Sequence, residues 1–254
     1  MPKIELIQGD CLEKMKDVND KSIDMILCDL PYGTTACKWD TIIPFEPLWK
    51  QYKRIIKDNG AIVLTASQPF TSALVMSNIK MFKYEWIWNK EKGGNCFLAK
   101  IQPMKTTENV LVFGKGKIRY YPQMTEAKEK NKREGGKLYS KRETMLGEIN
   151  LQWSKNHNEN IRFPKSLINI KSTEKECNNA NRLHPTQKPV ALFEYLIKTY
   201  TNEGDLILDN CIGSGTTAVA CINTNRNFIG IEKDEKYCEI ANQRLRQEVF
   251  DFNK

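Results

Sequence analysis

Apolar residues along this chain fall into two rhythms, short continuous runs and helical stripes, and the two alternate. Ser22 to Cys28 is a short, mostly apolar, β-compatible run that reads as a buried strand. It ends at Asp29-Leu30-Pro31-Tyr32-Gly33, where a proline with no backbone donor forces a turn. Before it, residues 3–7 read as a first strand ending at Gly9-Asp10-Cys11, and Leu12 to Val18 as a short helix. After it, Leu48, Tyr52, Ile55 and Ile56 mark one face of a helix predicted between Pro44 and Asp58 and closed by Asn59-Gly60. Ala61 to Thr65 is a predicted strand, and Pro69 to Ile79 a helix with proline near its start. Phe82, Tyr84, Trp86 and Trp88 alternate with mostly polar neighbours, the mark of a half-buried strand, and Val110 to Phe113 is another.

From Gly114 to about Leu183 the periodicity lapses, and Tyr120, Tyr121, Tyr139, Trp153 and Phe163 are scattered among charged residues. Regular patterning resumes at His184-Pro185-Thr186-Gln187-Lys188-Pro189, followed by a helix with Leu192, Phe193, Leu196, Ile197 and Tyr200 on one face. Leu206 to Asp209 is a strand, Gly213-Ser214-Gly215-Thr216-Thr217-Ala218 opens a helix, and Asn227 to Ile231 is a strand ending at Glu232. A last helix carries Tyr237, Ile240, Ala241 and Leu245. Strands alternating with helices predict an α/β fold with a largely parallel sheet. The chain divides into a domain formed by 1–113 and 184–254 and an insert, 114–183.

Charge changes the picture of that insert. Among 254 residues the net charge is +8, yet residues 115–183 carry 16 Lys+Arg against 8 Asp+Glu, while the remainder has 23 of each. The whole excess therefore sits in one segment, the footprint of a polyanion-binding surface or of a solvated lysine-rich insert. Aromatic rings among those charges suit base stacking, and a small local core explains each ring as cheaply. Eight cysteines form no Cys-x-x-Cys pair; Cys28, Cys96, Cys211 and Cys221 sit inside apolar or motif segments and read as reduced, mostly buried thiols of a cytoplasmic protein. Two histidines make a zinc site improbable, so no metal is expected. No apolar run has membrane-spanning length, and no signal peptide is expected.

Two constellations carry chemistry. The first delivers a carboxylate, a fixed backbone and an aromatic ring to the carboxyl end of a strand, where open α/β sheets bind ligands. The second is the Gly-x-Gly-x-x-Ala turn between strand and helix, with Glu232 placed 17 residues beyond Gly215, where an acid accepts hydrogen bonds from ribose hydroxyls. Only 22 residues follow Glu232, so the rest of the sheet must come from upstream, which disfavours a nicotinamide dehydrogenase.

Asp29-Leu30-Pro31-Tyr32, Trp39-Asp40, Gly9-Asp10-Cys11, Trp88-Asn89-Lys90, His184 through Pro189, Asp209 through Thr217 and Glu232 together resemble the S-adenosylmethionine-dependent DNA amino-methyltransferases of the circularly permuted (beta) group, N6-adenine type. The resemblance frames nearly the whole chain and leaves 114–183 where that family keeps its target-recognition region. It implies that Asp29, Leu30, Pro31 and Tyr32 are catalytic, with Asp29 and the Leu30 carbonyl accepting the two hydrogens of an exocyclic amine and Tyr32 stacking on a flipped base. It implies a cofactor site of Asp10, Cys11, Lys188, Asp209, Cys211, Gly213, Ser214, Gly215, Thr216 and Glu232, with Asp10 and Cys11 at the adenine, Glu232 at the ribose and Lys188 facing the methionine end. Lys128, Lys130, Lys132 and Arg133 are the expected contacts to double-stranded DNA. The resemblance implies a Rossmann-like, mostly parallel sheet with helices on both faces. The chain departs from the family pattern at two places: Leu30 stands for a proline whose carbonyl is the group used, and Asn210-Cys211 for Pro-Phe, whose ring packs on adenine. A cytosine-N4 enzyme is the runner-up, disfavoured because that subgroup more often begins the motif with serine. An RNA or protein methyltransferase and an inactive DNA-binding relative are weaker alternatives. A homodimer and a cognate restriction endonuclease are partners that the resemblance allows.

Overall fold

The computed structural model describes residues 2–35, 37, 40–126, 142–144, 147–149, 160–172 and 187–251. In chain order the elements are β1 (Ile4–Gln8), α1 (Cys11–Lys14), β2 (Ile23–Asp29), α2 (Phe45–Ile55), β3 (Ile56–Ala66), α3 (Phe70–Ser77), β4 (Phe82–Gly94) and β5 (Lys105–Phe113). Short strands follow: β6 (Thr125–Glu126), β7 (Arg142–Thr144), β8 (Gly147–Ile149), β9 (Ile161–Arg162) and β10 (Leu167–Asn169). The chain then runs through α4 (Val190–Tyr200), β11 (Leu206–Asp209), α5 (Thr216–Asn223), β12 (Asn227–Glu232) and α6 (Glu235–Asp251).

Eight strands form one sheet in the order β1-β12-β11-β2-β3-β5-β4-β10, parallel throughout except for β5, which runs against both of its neighbours. The sheet is buried on two faces because strand side chains alternate. Met25, Leu27, Val63, Val110 and Val112 point into a core covered by α4, α5 and α6, with Phe193, Leu196, Ala220 and Ala241. Ile26, Cys28, Ile62, Leu64 and Leu111 point the other way, into a core with Leu48, Tyr52 and Ile55 of α2 and Leu74 of α3. Helices on both faces of a mostly parallel sheet match the sequence expectation. The decisive feature lies at the centre, where β11, from late in the chain, pairs with β2, from early in it. Chain order reverses between these neighbours, so their carboxyl ends flank a crevice where α/β sheets take ligands.

Several boundaries differ from the sequence reading: β3, β4 and β5 are longer than the strands predicted at 61–65, 82–88 and 110–113. The helix predicted to Asp58 ends at Ile55, and Asn59-Gly60 lies inside β3 rather than closing a helix. Gly60 serves a close approach: a Cβ there would stand 2.8 Å from the Asp24 carbonyl oxygen, beside the irregular stretch of the β2–β3 ladder. The expected 114–183 insert also splits differently. The compact units are Met1–Tyr121 with Ser166–Lys254, and Pro122–Lys165. Within the smaller unit β6 pairs with β9 and β7 with β8, both antiparallel. Outside it, β10 extends the large sheet beside β4, and Tyr120 packs near Trp86 and Tyr200 at 6.5 and 6.3 Å between ring centroids.

Candidate active site

Asp29 closes β2, and the turn after it folds Tyr32 back onto it. The Tyr32 hydroxyl donates to Asp29 Oδ1 at 2.7 Å, the Thr65 hydroxyl donates to the same oxygen, and the two hydroxyls lie 3.1 Å apart. Thr65 is in position because β2 and β3 pair Asp29 with Thr65. Behind the tyrosine, Phe70 at the start of α3 stacks on its ring, with centroids 5.2 Å apart and planes 24° from parallel. Burial first, then the charges of Asp29 and Glu108, push the Tyr32 phenol well above its ordinary value, so it stays a donor. The next residues are gathered by Asp40, whose carboxylate accepts from the amides of Gly33, Thr34 and Thr35 at 2.8, 2.9 and 2.7 Å. Burial opposes ionisation of Asp40, but these donors outweigh it and hold its carboxyl below the ordinary value.

Lys188 reaches the other oxygen, Asp29 Oδ2, at 2.6 Å. Its ammonium is also 3.6 Å from Glu108 Oε2, and Lys90 donates to Glu108 Oε1 at 3.0 Å. A row Lys90–Glu108–Lys188–Asp29, buried at Lys188 and half-buried elsewhere, thus runs from β4 and β5 to the carboxyl end of β2. Burial alone would lower the Lys188 pKa, yet the carboxylates of Asp29 and Glu108 outweigh it and hold the lysine above its ordinary value. The sequence expectation put Lys188 at the methionine end of a cofactor; its ion pairs here are with the turn acid and Glu108. It is no helix-flanking surface charge, being only 7 % exposed.

The glycine turn follows β11. Gly213 and Gly215 have φ of 53° and 84°, the left-handed region where a Cβ is disfavoured, and Gly215 caps α5. Asp209 ends β11 and is spent on this turn: it accepts from the Cys211 amide at 3.0 Å and from the Thr217 hydroxyl. Burial raises its pKa to about 6, against those donors. Glu232 ends β12 and accepts from the amides of Gly213 at 2.8 Å and Asp234 at 2.9 Å, which ties the turn to the next strand. Asp10 caps α1 through the Leu12 amide and pairs with Lys233 at 3.3 Å. From α6, buried Arg244 donates to the Ser214 carbonyl and the Thr216 hydroxyl, both at 3.3 Å.

All of these ends open on one cleft of about 1630 Å³, lined by residues that include Asp10, Cys11, Asp29, Leu30, Pro31, Tyr32, Lys188, Asp209, Cys211, Gly213, Ser214, Thr216 and Glu232. The volume exceeds that of an ordinary small-molecule pocket, ~300–1,000 Å³, and leaves room for two ligands side by side. A model of the N6/N4 DNA methylases matches residues 23–243, which takes in most of the cleft, without Asp10 and Cys11, and most of the fold. The chain belongs to that family. Among its relatives, the type II methyltransferase M.HpaI of Haemophilus parainfluenzae is 27% identical over 263 residues, covering 98% of this chain and 76% of that protein. The DNA adenine methyltransferase YhdJ of Escherichia coli is 29% identical over 263 residues, covering 94% of this chain and 82% of that one. The solved structure of an M1.HpyAVI–SAM complex is similar at a TM-score of 0.63 and 26% identity, covering 95% of this chain and 98% of that chain. A cytosine-N4-specific methyltransferase, PvuII, shares the fold at a TM-score of 0.67 and 16% identity, covering 100% of this chain and 92% of that one.

The cysteines of this DNA methylase are partly as expected. Cys11, Cys28 and Cys221 are buried, whereas Cys37 and Cys96 are exposed, against the expectation for Cys96. Cys11 and Cys211 line this part of the cleft, and Cys28 lies buried outside its lining. Cys28 is pushed up to about 12 by burial, and Cys11 is raised by its contact with Cys211 and by burial, so both thiols stay neutral. Asn210, one of the two departures from the family pattern, is buried and accepts from the Tyr52 hydroxyl at 2.5 Å. Nothing in the sequence pattern pointed to Thr65, Phe70, Glu108 or Arg244, because each reaches the site from an element distant in the chain; the strand pairing of Thr65 with Asp29 is the one signal that register could have supplied. Lys128, Lys130, Lys132, Arg133 and residues 184–186 lie outside the described residues. Of the basic residues in 115–183, Arg119 pairs with Asp24 and Asp205 at 3.3 and 2.7 Å, and Lys115 with Asp58 at 3.3 Å, so these two are spent within the large unit. No helix among the described residues is long and apolar enough to cross a membrane.

Proposed function

We propose that this methylase transfers the methyl group of S-adenosylmethionine to the N6 amine of adenine in duplex DNA. The observation that carries the reading is the placement of Asp29 and Tyr32 in the same cleft as Glu232 and the glycine turn, at the carboxyl ends of adjacent central strands. The residues fit the cofactor: a cleft of about 1630 Å³ has a carboxylate, Glu232, beside the turn at one end and the Asp29 cluster at the other. Bound there, S-adenosylmethionine supplies a sulfonium-activated methyl group. Glu232 would accept from its ribose hydroxyls, Asp10, Cys11 and Cys211 would border its adenine, and the turn from Gly213 to Thr216 would lie beneath it.

The chain's own work concerns the target amine. An exocyclic amine is a poor nucleophile because its lone pair is delocalised into the ring. Asp29 and the Leu30 carbonyl accept its two N–H groups and localise that pair, and holding the base still supplies much of the remaining rate. Tyr32 and Thr65 occupy Oδ1, so the amine approaches Oδ2, where Lys188 now sits, and the surplus proton has an acceptor in the same carboxylate. The target base must leave the stack to reach this depth, at a cost of a few kcal/mol. The basic insert, 114–183, serves as the target-recognition region that grips the phosphates, and duplex DNA as substrate puts the enzyme in the cytoplasm. A homodimer and a cognate restriction endonuclease remain expectations of the resemblance.

Nucleoside mass spectrometry of DNA incubated with the protein and S-adenosylmethionine tests the reading. N6-methyladenine is the expected product. N4-methylcytosine would move the substrate to the other branch of the family, and cofactor binding without any methylated nucleoside would leave an inactive relative.

A further inference from the structure

β4 and β5 form a hairpin whose position gives it a second task. β4 runs parallel to β2 and β3, so its carboxyl end leaves the sheet on the edge where Asp29 stands. The hairpin ladder reaches Gly94 opposite Lys105, and Lys92, Gly93, Gly94, Asn95 and Lys105 line the rim of the cleft. The tip, residues 95–104, therefore projects from the lip of the cleft. It is apolar where loops are usually polar: Phe97 is 99% exposed and Ile101 80%, with Leu98 and Met104 also exposed. Phe97 sits in a short 3-10 turn, Cys96–Leu98, entered through Asn95 in the left-handed region. Among the described residues, neither core of the large unit includes these side chains. From Lys92 to Lys105 the hairpin carries three lysines, Lys92, Lys100 and Lys105, and no acid.

Such apolar side chains ringed by positive charge at a cleft mouth mark a contact surface. The charge selects the partner, a polyanion, and the place selects the moment, the entry of a base into the cleft. A base drawn out of a duplex leaves a hole in the stack, and proteins that kink or open DNA fill such holes with Phe, Leu, Ile or Met wedges. We propose that the β4–β5 hairpin is a DNA wedge: Phe97 enters the stack where the target base has left, while Lys92, Lys100 and Lys105 hold the flanking phosphates. This rests on the reading of the cleft as the site of base methylation, and it adds the element that keeps the base out.

The test compares methylation rates on two duplexes, one fully paired and one whose target base faces an abasic position and so costs less to extrude. Phe97→Ala is expected to slow methylation of the paired duplex by about tenfold or more, to stay within about threefold of the unsubstituted protein on the abasic duplex, and to be largely restored by Phe97→Leu. An equal loss on both duplexes, or no loss on the paired one, overturns the wedge. So does a shift in oligomeric state on sedimentation, which would make the tip a contact between copies of the chain. The comparison is made at whichever base receives the methyl, so a cytosine product overturns the adenine assignment without touching the hairpin.

Discussion

At the scale of single residues, the two ends of the cleft separate in their effects. Asp29→Ala is expected to cut turnover by about 10²–10³-fold or more while the affinity for S-adenosylmethionine is kept, since the carboxylate addresses the amine. Calorimetric titration beside a methylation assay checks this, and lost cofactor affinity in a folded variant would contradict it. Glu232→Ala should do the reverse. Two ribose hydroxyls lose a charged acceptor worth about 1.5–3 kcal/mol, or roughly 10–150-fold in dissociation constant. Because Glu232 also holds the Gly213 and Asp234 amides, the loss should lie at the upper end. Lys188→Met leaves Glu108 and Asp29 facing each other without their shared cation, for a loss of about 1–3 kcal/mol in denaturant unfolding. Asp209 makes a prediction about pH. Its pKa is raised to about 6 in the folded chain, so between the ordinary carboxylate value and 6 the native state binds more protons than the unfolded one. Stability therefore falls as pH rises through that window, by roughly 3 kcal/mol from this group, and levels off above it. Asp209→Asn should lose that slope in melting curves taken from pH 4.5 to 7.5, whereas an identical slope in both proteins would assign it to other groups.

Elements matter here through the ties between distant ones. α2 belongs to the N-terminal half, yet its Tyr52 is bonded to Asn210 in the turn after β11. Tyr52→Phe should leave the Asn210 carbonyl buried without its donor and cost about 1–3 kcal/mol in thermal unfolding, with a weaker cofactor site as a second symptom. A variant as stable as the original would show that Asn210 finds another partner. The ends of elements were the part of the sequence reading most open to change. Asn59-Gly60 carries the local mark of a helix stop, but the glycine is demanded by the passage of β3 beside Asp24, a contact that no local pattern announces. Leu206 to Asp209 and Asn227 to Glu232 fell where periodicity placed them, because a strand buried on both faces has little choice but to be continuously apolar.

For the whole molecule, the net charge of +8 lies in residues 115–183, and if that segment grips phosphates as proposed, DNA affinity falls as salt rises. Each phosphate contact contributes a log–log slope of about −0.9 on duplex, so replacing Lys128, Lys130, Lys132 and Arg133 together should flatten the slope by up to about 3.6. A slope untouched by those changes would make the segment a solvated insert. Arg119 and Lys115 should contribute nothing, being paired inside the large unit. What the sequence determined by itself was the alternation of strands and helices, the two turns at strand ends and the acids beside them, since these depend on local periodicity, proline and glycine. What the tertiary structure decided was adjacency. Only the pairing of β11 with β2 brings Asp29 and Asp209 to one crevice, only the β2–β3 register sets Thr65 against Asp29, and only the packing of β4, β5 and the start of α4 builds the row from Lys90 to Asp29. The reason is physical: a charged side chain can be buried only where partners converge on it, and those partners come from segments whose separation along the chain says nothing of their distance in space.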